Sequence, residues 1–255
     1  MTDDPIQETR SDGCLCLTLN RPERMNAWDT AMRARIVECL TAAATQPEVT
    51  SVVITGAGDR AFCAGQDLNE LSGFGPDMAE RWIDSFGALY RAVAALEVPV
   101  ISALNGVAAG SAFQFILLTD IRIGHAGVRM GQPEINSGIA SITGPWIMGE
   151  MLGLSHTKEL TLTGRLVEAE EAQRLGALHE IVPQDRVLAR AMDLGAELGA
   201  KPRNAMHLIK RRFFEVLEPG LNDAIAAAKR YHRMSFESGE MQAETRRFLG
   251  ESRSG

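Results

Sequence analysis

The stretch Asn105–Asp120 reads NGVAAGSAFQFILLTD, a helix too apolar to face water, yet it carries a hydroxyl at Ser111 and a carboxamide at Gln114. Buried polar groups are costly unless they are hydrogen-bonded or used, so both residues are candidates for chemistry. The competing reading makes Gln114 a buried amide that bridges backbone and has the Ser111 hydroxyl capping its own helix turn. Upstream, Gly56-Ala57-Gly58-Asp59-Arg60-Ala61 matches G-x-G-x-x-A after a strand, the pattern that cradles a dinucleotide pyrophosphate. That use needs a helix to begin inside the motif. Phe62-Cys63-Ala64-Gly65 reads instead as a loop, so a simple glycine-rich turn is expected. The histidines, His125, His156, His179, His207 and His232, lack ligand spacing, and no Walker, H-E-x-x-H or G-x-S-x-G sequence occurs. No metal site is expected. Lys210-Arg211-Arg212 with Lys201 and Arg203 reads as a solvated helix face or as a cation cluster for a phosphorylated ligand.

The elements that must position these residues alternate. Gly13–Leu19 is strand-like and ends at the Asn20-Arg21-Pro22 turn; a helix follows from an Asp29 N-cap, with Met32, Ile36, Val37 and Leu40 on one face. Ser51–Thr55 is a short buried strand, and Pro76 opens a second helix carrying Met78, Trp82, Phe86, Leu89 and Val93. Strands over Val98–Leu104 and Ile121–Ile123 flank the apolar helix. This alternation predicts an α/β fold with largely parallel pairing. Beyond Lys201 the pattern is helix after helix, which divides the chain into a core over 1–200 and a helical C-terminal segment over 201–255.

Composition narrows the classes. The chain has 255 residues, 45% hydrophobic and 23% charged, with a formal net charge of -7, an ordinary globular make-up that argues against nucleic acid as the main partner. Val98–Thr119 holds 22 uncharged residues, close to the ~20 that cross a bilayer. It also contains Pro99, Asn105-Gly106, Ser111 and Gln114, so strand, turn and helix are expected rather than a membrane span. The acidic start lacks a signal-peptide pattern, and Cys14, Cys16, Cys39 and Cys63 are expected to be reduced thiols of a cytoplasmic protein.

Three stretches occur together: Ala61–Leu68 (AFCAGQDL), Asn105–Ser111 (NGVAAGS) and Gly131–Glu134 (GQPE). With Asn20-Arg21-Pro22 followed by Asn26-Ala27, and Leu160–Gly164 (LTLTG) further on, the sequence resembles the enoyl-CoA hydratase/isomerase (crotonase) family over nearly its whole length. The resemblance implies a spiral of ββα repeats, homotrimers often paired into hexamers, and an acyl-CoA thioester substrate with no separate cofactor. It also implies an oxyanion hole formed by the backbone N–H groups of Gln66 and Ser111. By motif position it places Met25 and Ala27 beside the CoA adenine. Ala64, Asp67 and Leu68 fall along the pantetheine and thioester, Val107 and Gly110 are further substrate-binding candidates, and the basic C-terminal residues become candidates for the CoA phosphates. The family usually has glycine where Ser111 stands, a change a backbone donor tolerates if φ is negative.

Hydratases of the family carry two glutamates, at the positions of Gln114 and Glu134. Gln114 cannot exchange a proton, and loss of one acid/base partner costs about 10²–10⁴ in rate. Glu134, beside Pro133, can titrate near neutrality if partly buried. Moving a double bond needs a single base, so Δ3-Δ2 isomerisation through Glu134 is slightly favoured over hydration. Acyl-CoA hydrolysis or decarboxylation, and a CoA-binding protein without turnover, are the further alternatives. The loop Leu71–Pro76 and the side chain of Trp82 are expected to wall the acyl pocket.

Overall fold

The computed structural model describes residues 4–71, 73–75, 78–239, 243, 244, 247 and 250. The elements run β1 (Ile6–Ser11), β2 (Cys14–Leu19), α1 (Thr30–Thr45), β3 (Ser51–Gly56), β4 (Ala61–Cys63), α2 (Leu68–Leu71) and α3 (Ala79–Ala94). Then come β5 (Val100–Leu104), β6 (Val107–Ala109), α4 (Ser111–Leu117), β7 (Ile121–Gly124), β8 (Arg129–Gly131), α5 (Thr143–Leu152) and α6 (Leu154–Thr163). The chain continues through β9 (Leu166–Glu168), α7 (Ala169–Arg174), β10 (Glu180–Ile181), α8 (Val187–Gly199) and α9 (Arg203–Ser238).

Two sheets result, ordered β1-β2-β3-β5-β7-β10 and β4-β6-β8-β9. Successive strand pairs β3/β4, β5/β6 and β7/β8 each place one strand in either sheet before a helical segment, which is the ββα spiral. Pairing is parallel throughout except for β1 with β2 and β8 with β9. Parallel strands covered on both faces lose the polar alternation of a half-exposed strand. Accordingly β2 sends Leu15, Leu17 and Leu19 into the main core, while Cys14 and Cys16 face the smaller cluster with Val187, Ala191 and Leu194 of α8. All four cysteines are free and buried.

Asp29 caps α1 through a 2.8 Å bond from the Met32 N–H, a contact of the kind worth about 1 kcal/mol. One expectation is corrected. Phe62 and Cys63 belong to a buried strand rather than a loop; as expected, no helix begins inside the G-x-G-x-x-A stretch, whose residues 57–60 join β3 to β4. The helix expected from Pro76 is observed from Ala79; Pro76 lies outside the described residues, as does Ser72 of the pocket loop. From Arg203 the C-terminal region runs as one 36-residue helix to Ser238, and after the Gly239 C-cap the described residues 243, 244, 247 and 250 are helical again. The helix continues through Pro219-Gly220, where it approaches Trp146 so closely that a Cβ on Gly220 would meet the ring at 2.5 Å. Among the described residues no helix is long and apolar enough to cross a membrane, and no group of three or more metal-ligating side chains occurs.

Candidate active site

Asn26 organises one wall. Its side chain is fully buried and donates to the carbonyls of Ala57 (3.0 Å) and Ala61 (2.8 Å), while its Oδ1 accepts from the Arg21 N–H (3.0 Å). These bonds hold Met25 and Asn26 at φ 52° and 54°, a left-handed conformation that costs a non-glycine residue free energy. Met25 and Ala27 are thereby turned to a cavity.

Gly65 follows β4 at φ 90°. Its carbonyl accepts from the Trp28 N–H, and the Asp67 N–H donates to the Trp28 carbonyl, so Gln66 pairs with Trp28. The Gln66 side chain is locked inward. Its Oε1 accepts from Arg33 Nη1 (2.7 Å) and Trp82 Nε1 (3.0 Å), and its Nε2 donates to Glu70 Oε2 (3.0 Å). Arg33 is fully buried, over the Phe86 ring, and desolvation lowers its pKa.

Gly110, at φ 60°, turns the chain from β6 into α4. A Cβ on Gly65 would come within 2.6 Å of the Ala109 carbonyl and 3.4 Å of the Ser111 nitrogen, so the two backbone segments nearly touch. Among the described residues no hydrogen bond occupies the N–H of Gln66 or of Ser111. The φ of Ser111 is not positive. Its hydroxyl does not cap its own turn; it accepts from Trp28 Nε1 at 3.0 Å.

Glu134 stands on the turn Pro133–Ser137, against Gly110: a Cβ there would meet Glu134 Oε1 at 3.0 Å. Gln114 Nε2 (3.1 Å) and Gln132 Nε2 (2.5 Å) both donate to that oxygen, whereas Oε2 is buried with no partner among the described residues. Burial pushes the Glu134 carboxyl up to about 7, against the lowering effect of the two amides. Gln114 does not bridge backbone. Its Oε1 accepts from the Tyr90 hydroxyl at 2.7 Å, so both ends of the amide are committed to side chains.

Around one cavity of about 530 Å³, part of this array forms the lining and the rest supports it from behind. Of the residues singled out in the sequence, Met25, Ala27, Ala64, Gln66, Asp67, Leu68, Gly110, Ser111, Gln114 and Glu134 line it, together with Trp82. Val107 does not: it pairs with the Ala61 strand, its N–H bonded to the Arg60 carbonyl. Burial raises the Asp67 carboxyl, but the Asn69 and Arg21 hydrogen bonds outweigh it and leave the pKa lowered. The basic C-terminal run is spent elsewhere. Lys210 grips Asp120 with both bonds at 2.7 Å, Arg211 meets Glu97, Arg212 meets Glu215, and Arg203 donates to the Pro47 carbonyl. Among the described residues, Arg24 is the lysine or arginine that lines the cavity.

Sequence reasoning missed Tyr90, Gln132 and His232. Tyr90 follows Phe86 by one helical turn and reads as core. Gln132 lies inside a quoted motif without a role of its own. His232 packs edge-on to Trp82 with its pKa pulled to about 4 by burial, and nothing in its neighbourhood of α9 marks it.

The family described as Enoyl-CoA hydratase/isomerase matches residues 9–254. The chain is 31% identical over 242 residues to a 1,2-epoxyphenylacetyl-CoA isomerase of Escherichia coli K12, covering 93% of this chain and 92% of that protein. It is 32% identical over 219 residues to a 2,3-dehydroadipyl-CoA hydratase of the same organism, covering 86% and 85%. A crystal structure of an enoyl-CoA hydratase/isomerase from Xanthobacter autotrophicus Py2 superposes with a TM-score of 0.85 at 26% identity, over 95% of this chain and 96% of that one. The two sheets wound as a ββα spiral, the motifs gathered on one cavity and these likenesses agree: the chain is an enzyme of the enoyl-CoA hydratase/isomerase family.

Proposed function

We propose that this enzyme moves a carbon–carbon double bond in an acyl-CoA thioester, with Glu134 as its single acid/base. The carbonyl oxygen is held by the N–H groups of Gln66 and Ser111, two donors without other partners beside the cavity. Each such donor stabilises a developing oxyanion by roughly 2.7–4 kcal/mol. Glu134 takes a proton from C2, leaving a dienolate, and returns it at C4. A carboxyl with a pKa of about 7 suits both halves of that transfer near neutrality.

The observation that carries isomerisation over hydration is the state of Gln114. Hydration by two carboxylates needs a second acid/base group to hold and activate water. Here an amide stands in that place, its oxygen taken by Tyr90 and its nitrogen by Glu134. One relative is named an isomerase of an acyl-CoA thioester, acting on an epoxide, 1,2-epoxyphenylacetyl-CoA, rather than on an alkene. Hydration is the second reading, favoured by relatives named hydratases and by the unpartnered Glu134 Oε2.

Met25, Ala27 and Arg24 suit the nucleotide end of CoA, and Trp82, Ile83, Phe86 and Ile139 an apolar acyl group. A homotrimer or a hexamer of two trimers fits a C-terminal helix that leaves Leu208, Ile209, Phe213 and Val216 exposed. Four free, buried cysteines suit a reducing, cytoplasmic location.

The test is NMR in D₂O with a 3-enoyl-CoA and, separately, a 2-enoyl-CoA. Formation of the conjugated isomer without 3-hydroxyacyl-CoA supports isomerisation. Efficient formation of 3-hydroxyacyl-CoA from the 2-enoyl substrate rejects it in favour of hydration.

A further inference from the structure

The side chain at position 111 is neither solvated nor idle. Ser111 Oγ accepts the Trp28 indole N–H at 3.0 Å, and Trp28 is fully buried, so one lone pair of the hydroxyl is filled from inside the protein. A hydroxyl has one proton and two lone pairs. With the indole fixed on one lone pair, the rotor turns its proton away from Trp28. No hydrogen bond among the described residues takes that proton. Ser111 lines the cavity. The Cβ that Gly65 lacks would come 3.3 Å from Ser111 Oγ and 3.4 Å from Ser111 N, so hydroxyl and amide flank the same gap in front of the Gly65–Gln66 backbone.

We propose that the Ser111 hydroxyl is a third hydrogen-bond donor to the thioester oxygen, beside the N–H groups of Gln66 and Ser111, and that Trp28 is the residue that aims it. The proposal rests on the oxyanion reading given above. A glycine at this position supplies only the amide. Serine adds a donor that costs no reorganisation when charge develops, because its rotor is already set. Trp28 has no access to substrate and acts only through Ser111. The step itself is unchanged: the proton still moves through Glu134, and the hydroxyl keeps its own proton throughout.

The test separates the carbonyl from the rest of the ligand. A saturated acyl-CoA and its thioether analogue, in which the carbonyl is a methylene, are titrated calorimetrically into the native protein, Ser111→Ala and Ser111→Gly. The acyl carbon of the thioester carries ¹³C, and melting curves check that the variants fold. Both variants are expected to bind the thioester about tenfold more weakly, to bind the thioether as the native protein does, and to shift the bound carbonyl signal back toward its free position. Turnover is expected to fall about 10–10²-fold, below the loss of a main oxyanion donor. An unchanged carbonyl signal, or equal weakening of both ligands, overturns the third donor and leaves Ser111 a packing residue. If the native protein binds the thioester no better than the thioether and its carbonyl signal stays at the free position, the oxyanion reading itself fails. If the native protein binds neither, the substrate reading fails; either result takes this proposal with it.

Discussion

The Tyr90 hydroxyl donates to Gln114 Oε1 at 2.7 Å, and this bond decides which way the Gln114 amide faces. Tyrosine supplies a proton that only the carbonyl end can accept here, because an ionised Glu134 on the other side accepts and cannot donate. The NH₂ group is therefore turned to Glu134 Oε1 at 3.1 Å.

Removing the Tyr90 hydroxyl should free that amide. Tyr90→Phe leaves a buried carbonyl oxygen without its donor, at a cost of about 1–3 kcal/mol. The expected outcome is a lower melting temperature together with a lower kcat at little-changed KM. A variant as active and as stable as the native protein would show that Gln114 does not depend on Tyr90.

Glu134→Gln is expected to abolish turnover, by about 10²–10⁴ or more, while leaving CoA-ligand affinity in place. Its stability should move the other way. The folded-state pKa of Glu134 is raised, from 4.5 to about 7. The native state therefore holds its proton more tightly, and that contribution, full below pH 4.5, is lost as pH rises through 7. Glutamine does not titrate, so the variant should be no more stable than native at pH 4.5 and more stable at pH 8, by about 3 kcal/mol. Comparing the two proteins at each pH cancels His232, whose lowered pKa gives stability that is lost in the opposite direction, as pH falls below 6.5 through about 4. Melting curves at pH 5 and 8 check both statements.

The same titration should govern the rate. With Glu134 as base, kcat/KM should rise about tenfold per pH unit below 7 and level off above it. A profile flat between pH 5.5 and 8 would remove Glu134 from the proton path.

Gln114→Glu puts a second carboxylate against the first. Like charges that close cannot both ionise freely, so the pair should share a proton and gain the means to hold water. The expected result is at least a tenfold increase in 3-hydroxyacyl-CoA relative to double-bond isomer, read by NMR. No change in that ratio would mean that position 114 does not choose the reaction.

Gly65→Ala would add a methyl 2.6 Å from the Ala109 carbonyl at a φ of 90°. Forcing the two backbone segments apart should cost about 10²-fold in kcat or more, while Met25 and Ala27 still admit CoA. Unchanged kcat would contradict the close approach of the two loops.

Much of this was legible in sequence because the central strands are long and buried on both faces. β2, β3 and β5 are five- or six-residue apolar runs with clear turn signals. The second sheet was not legible. β4, β6, β8 and β9 are three residues each, too short to show a period, and Phe62-Cys63 looked like part of a loop. The motif residues converged on one cavity because each sits where a strand of one repeat hands over to its helix. Val107 stayed out of it, two residues too early in β6. Tyr90 was invisible because its partner, Gln114, comes from α4, 24 residues away. Such a meeting follows from helix packing and not from any local pattern.

The two N–H groups at Gln66 and Ser111 belong to the main chain, and this bears on how the protein can drift over generations. Every amino acid except proline supplies an N–H, so a substitution at either position leaves both proposed backbone donors in place, and one at 111 removes only the proposed hydroxyl donor. The vulnerable positions are the neighbours, Gly65 and Gly110, whose left-handed φ of 90° and 60° sets the direction of those groups. Lineages can therefore vary residues 66 and 111 to tune the substrate they accept, while the glycines beside them stay pinned.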